Sequence, residues 1–173
     1  MNNRVKVQNI KRIINSDMIS NYNYDFVFIV TSYNNEKNVF KNITSIVNQT
    51  YKKWRIIYVN DASTDNTDMV FKRIVKQFGI ENKVKYVVNE RNMKQSYSKY
   101  HAYQMTKDNE IVCILDGDDW LSTNDALMIL NRYYNKGYKI VTSNFNIIEN
   151  GKKNGESKQK YSINIIKNKD YKY

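Results

Sequence analysis

The chain is poor in the residues that stiffen, break or crosslink a backbone. It has one cysteine, no proline and five glycines among 173 residues. One cysteine cannot form an internal disulfide, so we expect a reducing, cytoplasmic setting. No apolar stretch approaches the roughly 20 residues of a membrane-spanning helix, and the first residues lack the apolar segment of a signal peptide. These absences favour a soluble globular protein with one well-buried domain.

Acidic residues are scarce beside basic ones: 17 Asp and Glu against 28 Lys and Arg give a formal net charge of +11. Such a charge suits an anionic partner, such as a nucleotide, a nucleic acid, a membrane surface or a phosphorylated substrate. However, the lysines are scattered, and there is no Arg-rich tract, zinc-finger spacing or aromatic RNA-binding signature. We therefore expect no specific nucleic-acid site, and peripheral membrane contact stays open.

Short β-branched and aromatic runs alternate with amphipathic segments. This alternation implies right-handed crossovers and a largely parallel sheet. The sequence therefore predicts an α/β fold, a three-layer α/β/α sandwich with a Rossmann-like sheet. The predicted strands are 26–31, 54–60, 84–89, 110–115 and 138–145, and the predicted helices lie at about 36–49, 64–78, 96–106 and 123–135.

Two flanking segments fall outside the regular alternation. Residues 1–24 are interpreted as an N-terminal extension with a short helix around Asn9 to Ile14, and residues 25–149 as the domain itself. Residues 150–173 are rich in lysine and weak in periodicity. They are typical of a basic tail or of an incomplete further region.

Polar clusters follow three of the predicted strands. They are "TSYNNE" (31–36), "DASTDNT" (61–67) and "DGDDW" (116–120). Ligands of an open parallel sheet bind beyond the carboxyl ends of its strands, where the strand order reverses. We therefore expect the three clusters to face one crevice.

The acidic cluster contains Asp116, Asp118 and Asp119. Its hard oxygen ligands suit Mg2+ or Mn2+ that also bridges phosphate oxygens. The alternative is that these acids cap the next helix. However, Ser122 and Thr123 already provide caps, and three carboxylates without a cation repel one another. Metal binding is the favoured interpretation.

The other two clusters each offer one group that suits a nucleotide. Asp61 stands at the end of the second strand, where its carboxylate can accept a hydrogen bond from a base or a ribose. Tyr33 offers a flat ring on which a base can stack. One tyrosine alone is weak support, because the chain has 15 of them.

In their order and spacing, these motifs resemble the nucleotide-sugar-binding half of the family-2 glycosyltransferases, which have the GT-A fold. The resemblance runs from about residue 26 to residue 145. Besides the three clusters, it rests on a serine and a Gln-Thr-Tyr run before the second strand, at Ser45, Gln49, Thr50 and Tyr51.

The resemblance implies a metal-dependent, inverting transfer of a sugar from a UDP-sugar or another nucleotide-diphosphate sugar to a glycan, lipid or protein acceptor. By the same resemblance, the nucleobase of the donor, uracil or another base, is held by Thr31, Tyr33 and Asp61. Glu36 supports the ribose or the geometry of the loop. The ribose and a divalent ion on the diphosphate fall to Asp116, Asp118 and Asp119.

The segment before the fourth strand departs from the family pattern. Lys99 stands where arginine is usual, which keeps a positive charge for the donor but loses the bidentate fork. Lys94 and Arg91 could reach the diphosphate or could be solvated. His101 could act as a base, but its place inside a helix favours packing, and we name no general base.

The acceptor-binding half of the family normally follows the fifth strand, whereas only the lysine-rich segment follows here. The chain is then an enzyme or its donor-binding domain, or alternatively a non-catalytic nucleotide-sugar-binding module. A nucleotidyltransferase is a more distant alternative, because "TSYNNEKN" is not the glycine-rich phosphate loop that this chemistry requires.

Overall fold

The computed structural model describes residues 23–149 and 152–157. The chain divides into two compact units, one ending at Gly137 and the other beginning at Tyr138. The helix predicted around Asn9 to Ile14 and most of the lysine-rich segment lie outside the described residues.

The first unit is built on a parallel sheet with the strand order β3-β2-β1-β4. Strands β2 and β3 lie on one side of β1, and β4 pairs with its other side. The strand order therefore reverses at β1. The end of β1 is therefore the point where ligands bind in folds of this kind. The four strands are β1 (Asp25–Ser32), β2 (Trp54–Asn60), β3 (Val84–Val88) and β4 (Glu110–Asp116).

Helices cover both faces of this sheet. On one face, helices α1, α2 and α4 bury apolar side chains against β1 and β2, whereas α3 covers the other face through Ala102. The predicted three-layer sandwich is therefore confirmed. Among the described residues, no helix has both the length and the apolar character of a membrane span. The helices are α1 (Val39–Val47), α2 (Thr67–Phe78), α3 (Gln95–Tyr103) and α4 (Ala126–Asn135).

Strand β1 forms the centre of the core because both of its faces are covered. Phe26 and Phe28 point into the larger apolar cluster and Val27 and Ile29 into the smaller one, and all four are at most 1% exposed. A strand buried on both faces has a continuous apolar sequence rather than an alternating one. This explains the run "FVFIV" at the start of the domain.

The prediction of a fifth strand at 138–145 is wrong. This segment has no strand assignment, and Ile140 is 76% exposed. The second unit instead contains an antiparallel hairpin of β5 (Asn146–Glu149) and β6 (Lys152–Glu156). Strand propensity reflects how side chains fit a half-buried pleated surface, so a β-branched run without such a surface does not form a strand.

A salt bridge ties β2 to β4 across the intervening strand β1. Arg55 donates two hydrogen bonds to the Glu110 carboxylate, at 2.6 and 2.7 Å, and a third to the Met105 carbonyl at 3.0 Å. The Glu110 side chain is only 5% exposed. The hydrogen bonds from Arg55 hold the pKa of the Glu110 carboxyl below its ordinary value.

We expect Glu110→Gln to lower the free energy of unfolding by about 2 kcal/mol at neutral pH, less than for a fully buried pair because Arg55 is 24% exposed. A carboxyl with a lowered folded-state pKa stabilises the protein above its unfolded-state pKa, about 4.3, and this contribution disappears as the pH falls through the folded-state pKa. Urea unfolding of both proteins from pH 7 to pH 3 should therefore show the gap closing below about pH 4. A gap that stays constant over this range would contradict the assignment.

Candidate functional site

The last two carbonyls of β1 hold the starts of two loops. The Thr31 carbonyl accepts a hydrogen bond from the Gly117 N–H at 3.0 Å, and the Ser32 carbonyl accepts one from the Asp61 N–H at 2.9 Å. Thr31 also pairs in register with Asp116. The loops that follow β2 and β4 therefore begin side by side, one on each flank of β1.

Gly117 is required at this point because the two backbones approach closely. A Cβ atom at position 117 would lie 2.9 Å from Ser32 Cβ, from Ser32 Oγ and from the Thr31 carbonyl oxygen. Such distances are too short for any side chain. The glycine therefore lets the acidic turn after β4 lie directly against the end of β1.

Asp116 forms an ion pair with Lys99 of helix α3. The Lys99 ammonium lies 2.7 Å from Asp116 Oδ1, and the two side chains are 26% and 34% exposed. The structure thus brings together two predicted donor-binding residues from separate parts of the chain. A cation already accompanies Asp116, which distinguishes this carboxylate from its two neighbours in the acidic turn.

Asp61 is 4% exposed and lies in a network that fixes the loop before α3. Its Oδ1 accepts hydrogen bonds from Asn89 Nδ2 at 2.6 Å and from the Met93 N–H at 2.8 Å, while Asn89 also donates to Ser98 Oγ. Burial raises the pKa of the Asp61 carboxyl, but the hydrogen bonds from Asn89 and the Met93 backbone outweigh burial, and the pKa is lowered. Asp61 therefore stays charged and acts as an acceptor.

The loop after β1 is interlocked with the loop after β2. Glu36 Oε2 accepts a hydrogen bond from the Asn66 N–H at 3.0 Å, and Asp65 Oδ2 accepts one from the Glu36 N–H at 3.1 Å. Asn34 Oδ1 accepts a third from the Thr64 N–H at 2.7 Å. Glu36 thus joins the two loops through its backbone and its carboxylate. Tyr33 extends from this loop with 47% of its surface exposed.

Three further predicted residues are placed differently. Thr31 is buried at this edge, and its hydroxyl has no hydrogen-bond partner among the described residues. Asp118 and Asp119 are exposed in the turn after β4. Although Asp119 has exposed surface, its carboxyl is partly removed from water. This partial burial, followed by the negative charges of Asp118 and Asp116, raises the pKa of the Asp119 carboxyl. No three acidic, histidine or cysteine side chains in the described parts of the chain are arranged as a metal-holding group.

Helix α1 holds the acidic turn through buried polar side chains. Asn42 is fully buried, and its amide donates to the carbonyls of Asp116 at 3.0 Å and Asp119 at 2.8 Å. Ser45 Oγ accepts a hydrogen bond from the Leu121 N–H at 3.1 Å. One helix face therefore sets the path of the turn that carries the three acids.

Gln49 and Thr50 continue this row beyond the end of α1. Gln49 Nε2 donates to the Thr123 carbonyl at 2.7 Å, and Gln49 Oε1 accepts from the Leu127 N–H at 3.1 Å. The Thr50 N–H donates to the Asn124 carbonyl at 2.7 Å. The serine and Gln-Thr-Tyr motif therefore forms the support of the acidic turn and the start of α4.

The sequence model of the family described as Glycosyl transferase family 2 matches residues 27–173. The chain belongs to glycosyl transferase family 2. The family predicted from the motifs is therefore confirmed, and the polar edge of the sheet lies within the matched part of the chain.

Two of the curated relatives are bacterial proteins named as beta-1,3-glucosyltransferases. UDP-Glc:alpha-D-GlcNAc-diphosphoundecaprenol beta-1,3-glucosyltransferase WfgD of Escherichia coli is 28% identical over 143 residues, which are 81% of this chain and 54% of that protein. GalNAc(5)-diNAcBac-PP-undecaprenol beta-1,3-glucosyltransferase of Campylobacter jejuni is 34% identical over 125 residues, 71% of this chain and 38% of that protein. The chain thus spans about half or less of the length of these relatives.

Two solved structures illustrate the likeness of fold. The crystal structure of Staphylococcus aureus TarS 1–349 in complex with UDP superposes with a TM-score of 0.56 at 24% identity, covering 65% of this chain and 32% of that one. Mannosyltransferase PcManGT from Pyrobaculum calidifontis in complex with GDP-Man and Mn2+ gives 0.56 at 22% identity, covering 71% and 37%. At these identities the likeness shows the fold, and the predicted GT-A fold is confirmed.

The sequence motifs did not identify Asn42 and Asn89, whose hydrogen bonds fix the loops of this family-2 site. Asn42 lies among Val39, Ile43 and Ile46 on the core-facing side of α1, where a polar residue requires buried hydrogen-bond partners. That position was a signal available in the sequence. Asn89 gave no comparable signal, since an asparagine after a strand is ordinary turn chemistry.

We expect Asn42→Ala to lower the free energy of unfolding by about 2 kcal/mol, because two buried carbonyls lose their donor and a small cavity forms. The acidic turn should also become more mobile. Urea unfolding measures the first effect and amide hydrogen exchange at residues 116–121 measures the second. The control is Asn38→Ala, which removes an amide that donates to the neighbouring Asn35 side chain. Equal, small effects of both substitutions would show that Asn42 does not hold the turn.

Proposed function

We propose that the chain is the donor-binding part of a metal-dependent, inverting glycosyltransferase that uses a UDP-sugar. The observation that carries this proposal is the convergence of Thr31, Asp61 and the Asp116–Lys99 ion pair where the strand order reverses, in a family-2 chain. TarS structures in complex with UDP and with UDP-GlcNAc support the choice of a uridine donor.

The base of the donor would bind between the first two loops. Tyr33 is half exposed on a loop that Asn34 and Glu36 fix, so its ring can stack on a base without first becoming ordered. Asp61 is charged, and a carboxylate has about four acceptor positions. Asn89 and the Met93 backbone donate to its Oδ1, and Ser98 and the Lys94 backbone also interact with this carboxyl, so a base N–H would share the carboxylate with these donors.

The ribose and the diphosphate would lie towards β4. Asp116 offers acceptor oxygens for the ribose hydroxyls, and Lys99 holds this carboxylate while its ammonium provides positive charge for the phosphates. A lysine serves phosphate as a point charge without the bidentate geometry of arginine. Lysine in place of arginine at position 99 thus keeps a positive charge for the phosphates but loses the bidentate hydrogen bonding of a guanidinium group.

A divalent ion, Mn2+ or Mg2+, would bind at Asp118 and Asp119, with Asp116 near it. Burial first, and then the charges of Asp118 and Asp116, raise the pKa of the Asp119 carboxyl, and a bound cation would offset the repulsion between these acids. The oxygen donors suit a hard cation. When bound, such an ion neutralises charge on the departing diphosphate. A structure of PcManGT with GDP-Man and Mn2+ supports a metal in this fold.

In an inverting reaction the acceptor hydroxyl loses its proton to a base and attacks the anomeric carbon, and the nucleotide diphosphate leaves from the opposite face. We assign no described residue to that base. The relatives from Escherichia coli and Campylobacter jejuni are named for sugars on diphosphoundecaprenol. A sugar linked to a polyprenyl diphosphate is therefore the first acceptor class to test.

The second candidate is a module that binds the nucleotide sugar without transferring it. The observation in its favour is that the described residues supply candidate donor-binding groups but none that we assign as the general base. Release of UDP from UDP-glucose with Mn2+ distinguishes the two. Slow hydrolysis that disappears in Asp118→Asn supports an enzyme, whereas tight UDP-glucose binding without UDP release supports a binding module.

We expect Asp118→Asn to weaken metal-dependent UDP affinity by at least about tenfold, about 1.4 kcal/mol, because it removes one metal-binding charge while keeping the shape. Calorimetry of UDP with Mg2+ and with chelator, on both proteins, measures the effect. The matched control is Asp108→Asn, which removes an exposed acid from the loop before β4. If wild type and Asp118→Asn gain equally from the metal, Asp118 is not a ligand.

We expect Tyr33→Ala to weaken UDP binding by about tenfold with little change in melting temperature, since it removes a stacking surface from an exposed position. Tyr33→Phe should retain the affinity because it keeps the ring. Tyr100→Ala, which truncates a tyrosine that is 65% exposed on α3, is the control for general loss of an aromatic ring. A large loss of stability with unaltered affinity would instead make Tyr33 a packing residue.

A further inference from the structure

A second concave surface lies at the amino-terminal ends of the parallel strands, opposite the candidate site. It is a cavity of about 300 Å³ lined by the first residues of β1, β2 and β4 and by the segments that precede them. Because the candidate nucleotide site lies at the carboxyl ends of these strands, the length of the sheet separates the two regions. The cavity takes no part in the function proposed above.

The lining of this cavity is strongly basic. Five cationic and two acidic side chains contribute to it, for a net charge of +3. Glu110 is already held by Arg55, so Asp25 is the one lining carboxylate left against four lysines. The four lysines are Lys52, Lys53, Lys83 and Lys107.

These lysines lack carboxylate partners in the part of the chain that the structure describes. Lys83 Nζ donates to the Lys52 carbonyl at 3.0 Å, and Lys52 Nζ and Lys53 Nζ donate to carbonyls at 3.4 Å. An ammonium group has three N–H donors, so each keeps donors for another acceptor. The cavity therefore collects positive charge that the described residues do not neutralise.

Trp54 packs against this group of lysines and can report on the cavity. This residue lines the cavity and is only 6% exposed, yet its indole N–H has no hydrogen-bond acceptor among the described residues. The Lys83 ammonium lies 4.4 Å from the centre of its ring. A buried N–H without an acceptor is costly, and buried tryptophans normally have a partner.

We propose that this cavity binds a phosphate-bearing anion. Ammonium groups converge here from three parts of the chain, beside the Trp54 ring, and a phosphate or diphosphate has several oxygens that can accept from more than one of them at once. A carboxylate has fewer acceptor oxygens and less charge. The group can belong to a soluble phosphate compound or to an anionic lipid headgroup, which carries the same chemistry.

The two tryptophans of the chain allow a direct test. Trp54 lines the cavity, whereas Trp120 follows the acidic turn, so their indole N–H resonances report on opposite edges of the sheet. Nitrogen-15 spectra of the full chain would be recorded during titration with pyrophosphate, with chelator present and ionic strength matched by sodium chloride. Trp54→Phe assigns the two resonances. We expect the Trp54 signal to shift and saturate, and the Trp120 signal to stay in place.

Two double variants with the same change in charge establish where the anion binds. Lys52→Gln with Lys83→Gln should weaken pyrophosphate binding by about tenfold, since two charged donors are lost. Arg73→Gln with Lys76→Gln, on the exposed side of α2, should leave it unchanged. An unmoved Trp120 signal verifies that both variants are folded. A wild-type Trp54 signal that does not respond, or equal weakening in both variants, would overturn the proposal.

A vesicle assay then separates the two sources of phosphate. Co-sedimentation would use phosphatidylcholine vesicles with and without phosphatidylglycerol. Binding to the anionic vesicles that is lost only in the Lys52/Lys83 variant assigns the cavity to a lipid headgroup. Pyrophosphate binding without vesicle binding assigns it to a soluble phosphate compound. Vesicle binding that survives in this variant, together with an unresponsive Trp54 signal, would contradict an anion site here.

Discussion

The candidate site depends on the last two carbonyl groups of strand β1. Each accepts a hydrogen bond from the first N–H of a different loop, one after β4 and one after β2. This arrangement is available only because β1 lies between β2 and β4, and because Gly117 allows the backbones to approach. Asp116 and Asp61 are thereby fixed on opposite flanks of one strand end, and the other parts of the site are arranged around them.

Strand β4 is held by charge at both of its ends. Its first residue, Glu110, is paired with Arg55, and its last, Asp116, with Lys99. Between them Ile114 is 64% exposed, so part of this strand has little apolar cover among the described residues. The Asp116–Lys99 pair therefore has two functions: it supports the proposed donor site, and it fastens helix α3 to the end of a sparsely covered strand.

Most of the fold could be predicted from local pattern, because the strands are short apolar runs and the helices have a regular apolar face. Strand β2 was predicted with its observed bounds, 54–60. The failure at 138–145 came from a sequence that suits a strand but is paired with no other strand within residues 23–149 and 152–157, and pairing is a tertiary property. The polar edge was predicted from three clusters. The Asp116–Lys99 contact was not, since it depends on how α3 packs across the sheet.

Side chains of α1 and of the segment directly after it hydrogen bond to backbone atoms of residues 116–127. Asn42 and Gln49 donate to carbonyls, and Ser45 and Gln49 accept from N–H groups. The path of the turn is therefore set independently of the side chains at positions 118 and 119. Evolution or design could replace those two acids by histidine, asparagine or glutamate on an unchanged support. The fold thus separates the support of the turn from the side chains that are proposed to bind the ion, so those side chains could change without a change of the scaffold.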